Sequence, residues 1–223
     1  MFIGHLGVGL ALKRAEPRIN VGWYLIAAEF LDILLFILIM SGLEQVHVSS
    51  PESSQKYMTF VFPYSHSLIG SIFWSTLFGF LAAMIFHKWG KAKIALLFVA
   101  GVFSHFVLDF LVHPPELPLW GNSSPKIGLG LWNEIYFALL LELLILIFAL
   151  VMYYRATMAR NRLGKYGLGV LMGLITVLAF AGQLSGPPPG NAFQVALSSE
   201  FTIVVLIALA YWLDGKRSSA ASA

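Results

Sequence analysis

Six long apolar stretches dominate the sequence. Each approaches the roughly 20 residues that an α-helix needs to cross the hydrocarbon core of a bilayer. The stretches lie at 21–41, 64–86, 93–113, 131–154, 166–184 and 199–213. Only 11% of the 223 residues are charged, whereas a soluble domain carries about 25%. The sequence therefore excludes a water-soluble fold and predicts an all-α polytopic membrane bundle of about six transmembrane helices.

Basic residues alternate between the loops that join these stretches. Twelve of the fourteen Lys and Arg residues fall within 13–18, 88–93, 155–165 and 216–217. Because cytoplasmic loops carry an excess of Lys and Arg, this alternation predicts that both termini are cytoplasmic. It also accounts for the net charge of +3, so we expect membrane lipids and no nucleic acid as partners. The sequence leaves the oligomeric state open.

The first residues form a separate element. Residues 1–12 are apolar but too short to cross a bilayer. A half-span that enters the bundle and an interfacial helix are the two physical options, and we favour the half-span. We therefore divide the chain into an N-terminal half-span or interfacial helix (1–20), a transmembrane bundle (21–213) and a disordered cytoplasmic tail (214–223).

Ionisable residues occur inside these apolar stretches. A charged side chain near the bilayer centre costs about 2.5–3.5 kcal/mol, so each one needs a partner, a water-filled cavity or a metal ion. Glu29 and Asp32 lie three residues apart in the first stretch. His105, Asp109 and His113 follow one another at intervals of four residues in the third. Both spacings put the side chains on one face of a helix.

These residues are expected at overlapping depths. A helical rise of 1.5 Å per residue puts Asp32 about 16 Å from Val21, and His105 about 18 Å from Lys93. His66 begins the second stretch from the opposite side of the membrane. If residues 1–12 re-enter the bundle, His5 comes within reach of the same place. The sequence thus predicts one pocket shared by several helices.

Imidazole and carboxylate groups are the ligands that zinc and manganese accept, and the chain contains no Cys. We therefore predict a divalent metal site, with zinc or manganese as the ion. The predicted ligands are His5, Asp32, His66, His105, Asp109 and His113. Glu29 and Asp32 are the candidate catalytic carboxylates, because a carboxylate beside the ion can accept a proton from water. Glu29 is either this base or a second ligand of the ion. The alternatives are that Asp32 makes a structural hydrogen bond in its protonated form, that Glu142 is a packing partner or a support for His105, and that Glu116 is a solvated loop residue.

Four short motifs resemble those of a bacterial inner-membrane family, the LexA-regulated, YdjM-like metal-dependent hydrolases. The motifs are His5 in IGHLGVG, Asp32 in AEFLD, His66 in PYSHS, and His105 with Asp109 in SHFVLD. They occur in the family's order over about the first 120 residues. The chain departs from the family pattern in its acidic motif, where Glu29 precedes Asp32 and no Pro is present. The resemblance implies metal-dependent hydrolysis of a phospholipid or another phosphoester.

Three classes of function remain open at this point. The first is an integral membrane metal-dependent hydrolase that acts on a lipid or phosphoester in the outer half of the bilayer of the bacterial inner membrane. The second is a transporter or channel coupled to protons or cations, in which the same residues form a relay. The third is a non-enzymatic membrane scaffold whose buried polar groups specify helix packing.

Overall fold

Seven α-helices form the framework of the part of the protein that the structure describes. The computed structural model describes residues 1–48, 58–186 and 190–220. The helices are α1 (Phe2–Leu12), α2 (Val21–Met40), α3 (Leu68–Ile85), α4 (Lys91–Val112), α5 (Ile135–Ala156), α6 (Arg162–Ser185) and α7 (Ala192–Asp214). Within the described residues, every helix except α1 is long and apolar enough to cross a membrane. The prediction of an all-α polytopic bundle is therefore confirmed.

Short strands occur only in the connections of the described chain. They are β1 (Gln45–His47), β2 (Thr59–Val61), β3 (Leu117–Pro118), β4 (Lys126–Ile127), β5 (Thr157–Ala159) and β6 (Arg217–Ser219). They pair as three antiparallel ribbons, β1 with β2, β3 with β4 and β5 with β6. The first two ribbons cover the end of the bundle at which α2 and α4 finish, and the third lies at the opposite end.

Two of the helix boundaries that differ from the prediction change the place of an ionisable residue. The helix expected from residue 64 begins at Leu68, because the Ser67 hydroxyl accepts a hydrogen bond from the Gly70 amide and caps the helix. His66 therefore lies in the turn before α3. The last helix, expected from residue 199, begins at Ala192, where Asn191 supplies the cap. Glu200 consequently lies inside α7.

Helix α1 packs inside the bundle, against α2, α4 and α5. Glycines allow the close approach: a Cβ at Gly7 would lie 2.7 Å from Ile145 of α5, and one at Gly9 would lie 2.8 Å from Leu25 of α2. The N-terminus of α1 thus ends within the protein, where its free amides need acceptors. Glu142 of α5 supplies one, because its Oε2 accepts hydrogen bonds from the amides of Ile3 (2.8 Å) and Gly4 (3.3 Å). Glu142 therefore caps α1 rather than supporting His105.

The basic loops meet at one end of the bundle. The Lys13 ammonium donates to Asp214 Oδ2 at 2.6 Å, which ties the end of α1 to the end of α7. The Arg18 guanidinium and Lys93 both donate to Glu16, and the hydrogen bond from Arg18 is the main cause that lowers the pKa of Glu16 to about 2. We call this end the basic end. The loop charges predict that it faces the cytoplasm.

The chain after α7 is ordered up to residue 220, which corrects the prediction of a disordered tail from residue 214. Asp214 is the last residue of α7, and residues 217–219 form β6. The Arg217 guanidinium donates hydrogen bonds to Thr157 and to the Gly164 carbonyl, and it lies over the rings of Tyr153 and Tyr154. Residues 221–223 lie outside the described residues.

Replacing Glu142 tests how α1 is held. We expect Glu142→Leu to lower the free energy of unfolding by about 2 kcal/mol, because the Ile3 and Gly4 amides lose their acceptor in a buried place. The thermal midpoint in detergent should fall by roughly 4–8 °C. Glu142→Gln keeps an acceptor oxygen and should remain within about 1 kcal/mol of the unmodified protein. Equal losses in both variants would contradict the capping role.

Candidate metal centre

Three segments bring four predicted residues to one point. Asp32 comes from α2, His105 and Asp109 come from successive turns of α4, and His66 comes from the turn before α3. The helical rise puts Asp32 about 16 Å from the start of α2, beyond the middle of the bundle as seen from the basic end. His66, His105 and Asp109 are buried. Asp32 has 20% of its side chain exposed.

Five distances connect the polar atoms of these four residues. His66 Nε2 lies 3.2 Å from His105 Nε2 and 3.4 Å from Asp109 Oδ2, and His105 Nε2 lies 3.3 Å from Asp109 Oδ2. Asp32 Oδ1 lies 3.5 Å from His66 Nε2 and 3.6 Å from His105 Nε2. A tetrahedral zinc ion with bonds of about 2.0–2.1 Å needs ligand atoms about 3.3 Å apart. The measured spacing fits such an ion.

A backbone carbonyl orients His105. Its Nδ1 lies 2.7 Å from the Ala28 carbonyl oxygen, which can only accept a hydrogen bond. Nδ1 therefore carries the proton. In the neutral ring, Nε2 then presents its lone pair to the other three atoms, which is the arrangement of metal-binding imidazoles.

His66 is oriented by a chain of two further residues. Ser65 Oγ donates to Glu44 Oε2 at 2.6 Å, so the hydroxyl accepts from His66 Nδ1 at 2.8 Å. Glu44 is itself buried, and its Oε1 accepts from the amides of Tyr64 and Ser65. His66 Nε2 therefore also presents a lone pair. Sequence reasoning missed Glu44 and Ser65, because only the folding of the 41–67 connection brings them together.

These hydrogen bonds leave two lone pairs and two carboxylates facing one another. Two unprotonated Nε2 atoms 3.2 Å apart repel each other unless a proton or a cation lies between them. The carboxylates of Asp32 and Asp109 add negative charge at the same point. The arrangement is thus electrostatically suited to a divalent cation with nitrogen and oxygen ligands.

The second oxygen of Asp109 points to the other predicted histidines. His5 Nε2 and the Met1 backbone nitrogen each lie 3.1 Å from Asp109 Oδ1. The His5 ring also stacks on the His105 ring, with centroids 3.6 Å apart. His5, His105 and Asp109 thus form a second group that could share an ion. Asp109 therefore connects the two groups: its Oδ2 faces His66 and His105, and its Oδ1 faces His5.

His113 lies at the edge of the centre. Its Nε2 is 3.8 Å from Asp109 Oδ1, and its Nδ1 is hydrogen-bonded to Glu116 Oε1. In the described chain, His113 is not part of either ligand group. Glu116 is buried and its Oε2 also accepts from the Phe60 amide, so the interpretation of Glu116 as a solvated residue is wrong. His113 and Glu116 instead hold the loop after α4 against Asp109.

Glu29 is the remaining predicted residue. It lies one helical turn before Asp32, is fully buried, and neither carboxylate oxygen has a hydrogen-bond partner. A buried carboxylate without partners is costly, so Glu29 is suited to accepting a proton from the centre.

Comparison with protein-family models, with curated proteins and with solved structures finds no match to this chain.

Replacing Asp109 tests the ligand set. Asp109→Ala removes the carboxylate that faces His66, His105 and His5, so we expect zinc occupancy after loading to fall at least about tenfold. The variant should still insert into membranes. Elemental analysis of detergent-purified protein measures the occupancy. His87→Ala, at an exposed histidine beyond α3, is the control and should bind zinc normally. Full occupancy in the Asp109 variant would contradict the assignment.

Replacing Ser65 tests the hydrogen bonds behind His66. In Ser65→Ala the imidazole loses the group that fixes its Nδ1 proton, and we expect zinc affinity to fall about 10–100-fold. Competition with a fluorescent chelator measures the affinity. Ser75→Ala is the matched control, because the Ser75 hydroxyl donates only to the Ser71 carbonyl of its own helix. Equal affinities in the two variants would contradict the role of Ser65.

Proposed function

We propose that this protein is a membrane-embedded, metal-dependent hydrolase that acts on a lipid or lipid-linked phosphoester in the outer half of the bilayer. One observation carries the proposal: the Nε2 atoms of His66 and His105 lie 3.2 Å apart and within 3.3–3.6 Å of Asp109 and Asp32 oxygens, with both imidazoles oriented by hydrogen bonds at Nδ1. Six apolar helices support the membrane location. The resemblance to the YdjM-like family supports hydrolysis and a bacterial inner membrane.

Asp32 marks the open side of the centre. Its side chain is 20% exposed, whereas those of His66, His105 and Asp109 are at most 3% exposed. It also makes the two longest distances, 3.5 and 3.6 Å. A catalytic zinc site keeps one position for water or substrate beside three protein ligands. We assign the three buried residues as fixed ligands and Asp32 as the carboxylate that faces the reactants.

Zinc or manganese, when bound, would polarise a phosphoryl oxygen and make water more acidic. Asp32 then accepts a hydrogen bond from the attacking water and orients it. The water oxygen bonds to phosphorus while the bond from phosphorus to the leaving alcohol breaks. Glu29, one turn away and without a partner, accepts the proton that the water loses, and that proton finally passes to the leaving oxygen.

A lipid substrate suits the position of the centre. The centre lies within the apolar helices, and side chains exposed on their outer faces are mainly aliphatic and aromatic. A substrate that partitions into the membrane reaches Asp32 laterally, without crossing a layer of polar protein surface. The polar head of such a substrate then meets carboxylates and imidazoles at a depth where few other polar groups are present.

Cation- or proton-coupled transport is the second candidate. It is favoured by the half-helix α1, whose N-terminus ends beside Asp109, since transporters place interrupted helices at their binding sites. The unpartnered oxygens of Glu29 and Glu142 would suit a proton relay.

An assay in proteoliposomes separates the two functions. We expect zinc-loaded protein to release phosphorylated or alcohol products from lipid phosphoesters, and EDTA to abolish the release. Glu29→Gln should retain zinc but lower turnover about 100-fold or more, because the proton acceptor is lost. Glu134→Gln, at an exposed acid on α5's outer end, should be fully active. Cation flux without any product release would contradict the hydrolase and favour transport.

A further inference from the structure

A further acid lies on α7, the helix that packs against α2. Glu200 occupies the ninth position of α7, inside the apolar span. Its Oε2 is buried, and no hydrogen-bond partner for that oxygen is present among the described residues. None of the ion pairs in the described chain includes Glu200. A carboxylate inside a membrane span is costly unless a cation or a proton neutralises it.

The packing of α2 against α7 puts Glu200 level with Asp32. The two helices are antiparallel neighbours: the Asn20 amide donates to the Tyr211 carbonyl at 3.0 Å, and a Cβ at Gly22 would lie 2.8 Å from Tyr211 Cβ. Asp32 lies ten residues after Gly22 on α2, and Glu200 lies eleven residues before Tyr211 on α7. Both separations correspond to a rise of about 15 Å, so Asp32 and Glu200 lie at about the same level of the bundle.

Lipid-facing residues surround this position. Leu197, Phe201 and Val204 on α7 are 51%, 68% and 52% exposed, and Ile37 on α2 is 48% exposed. The polar opening at Asp32 and Glu200 is therefore bordered by side chains that contact hydrocarbon. A ligand that reaches Glu200 arrives from the bilayer rather than from water.

The charges at the opening favour a cationic group. Asp32 carries one carboxylate, Glu29 lies buried and unpartnered one turn before it on α2, and Glu200 lies at the same level on the neighbouring helix α7. The metal centre compensates Asp32 and is suited to a phosphate, but Glu200 has no compensating charge. An ammonium group would neutralise Glu200 and form a charge-assisted hydrogen bond with it.

We propose that Glu200 binds the ammonium of an aminophospholipid, so that the substrate is a zwitterionic lipid of the phosphatidylethanolamine type. This inference rests on the proposed function and specifies its substrate class. In such a lipid a short carbon linker joins the ammonium to the phosphate. The phosphate can therefore lie at Asp32 while the ammonium reaches Glu200. Anionic lipids without an amine leave Glu200 unpaired and bring another negative charge beside it.

Lipid binding to the full chain in nanodiscs tests the proposal. Zinc-loaded protein is titrated with phosphatidylethanolamine and, separately, with phosphatidylglycerol of the same acyl chains, and bound lipid is measured by native mass spectrometry. We expect an affinity about tenfold higher for phosphatidylethanolamine. Glu200→Gln should abolish this preference, whereas Glu200→Asp, which keeps the charge, should retain most of it. Glu134→Gln should bind as the unmodified protein does.

Three results would overturn the proposal. The first is an unchanged preference in a folded Glu200→Gln variant, with folding checked by its thermal midpoint. The second is the loss of one bound metal ion in that variant, which would make Glu200 a metal ligand. The third is competition by free ethanolamine at the same concentration as the lipid, which would identify a soluble amine as the ligand.

Turnover measurements separate this inference from the proposed function. If Glu200→Gln loses the lipid preference but the unmodified protein hydrolyses no lipid, the headgroup site stands and the hydrolase proposal fails. If the protein hydrolyses lipids and Glu200→Gln discriminates between the two headgroups as before, the hydrolase stands and the headgroup site fails.

Discussion

The structure depends on a helix that ends inside the bundle. In a bilayer every backbone polar group must find a partner within the protein. The N-terminus of α1 is buried, and the Glu142 carboxylate on α5 accepts hydrogen bonds from its first free amides. This contact allows α1 to begin at the level of Asp109. His5, in the first turn of α1, then contacts Asp109 Oδ1. The position of His5 is therefore set by a contact across three helices.

The candidate centre illustrates how buried charge can be organised. His66 and His105 each use Nδ1 to bond an acceptor outside the centre, a serine hydroxyl in one case and a backbone carbonyl in the other. Both Nε2 atoms are thereby directed inward, toward Asp109 and Asp32. Without a cation this arrangement brings like charges and lone pairs together. With a bound cation the same contacts become favourable. The groups that bond Nδ1 of each histidine, Ser65 and the Ala28 carbonyl, therefore prepare His66 and His105 to bind a metal ion.

Much of the fold and part of the centre could be predicted from sequence. Apolar length revealed the spanning helices, and the four-residue spacing of His105 and Asp109 revealed a common helical face. The turn that holds His66 was assigned to a helix, since the cap at Ser67 is a local hydrogen bond that hydrophobicity does not report. Glu44 and Glu116 were missed or misread because loop folding, and no sequence periodicity, brings them to the histidines.

The most direct test of the account is the position of a bound ion. Crystals of the zinc-loaded protein measured at the zinc absorption edge would locate the ion by its anomalous scattering. The account predicts a peak among His66 Nε2, His105 Nε2, Asp109 Oδ2 and Asp32 Oδ1, at about 2.0–2.2 Å from the atoms that bind it. The absence of a peak at this point in zinc-loaded crystals, or a peak only elsewhere, would contradict it.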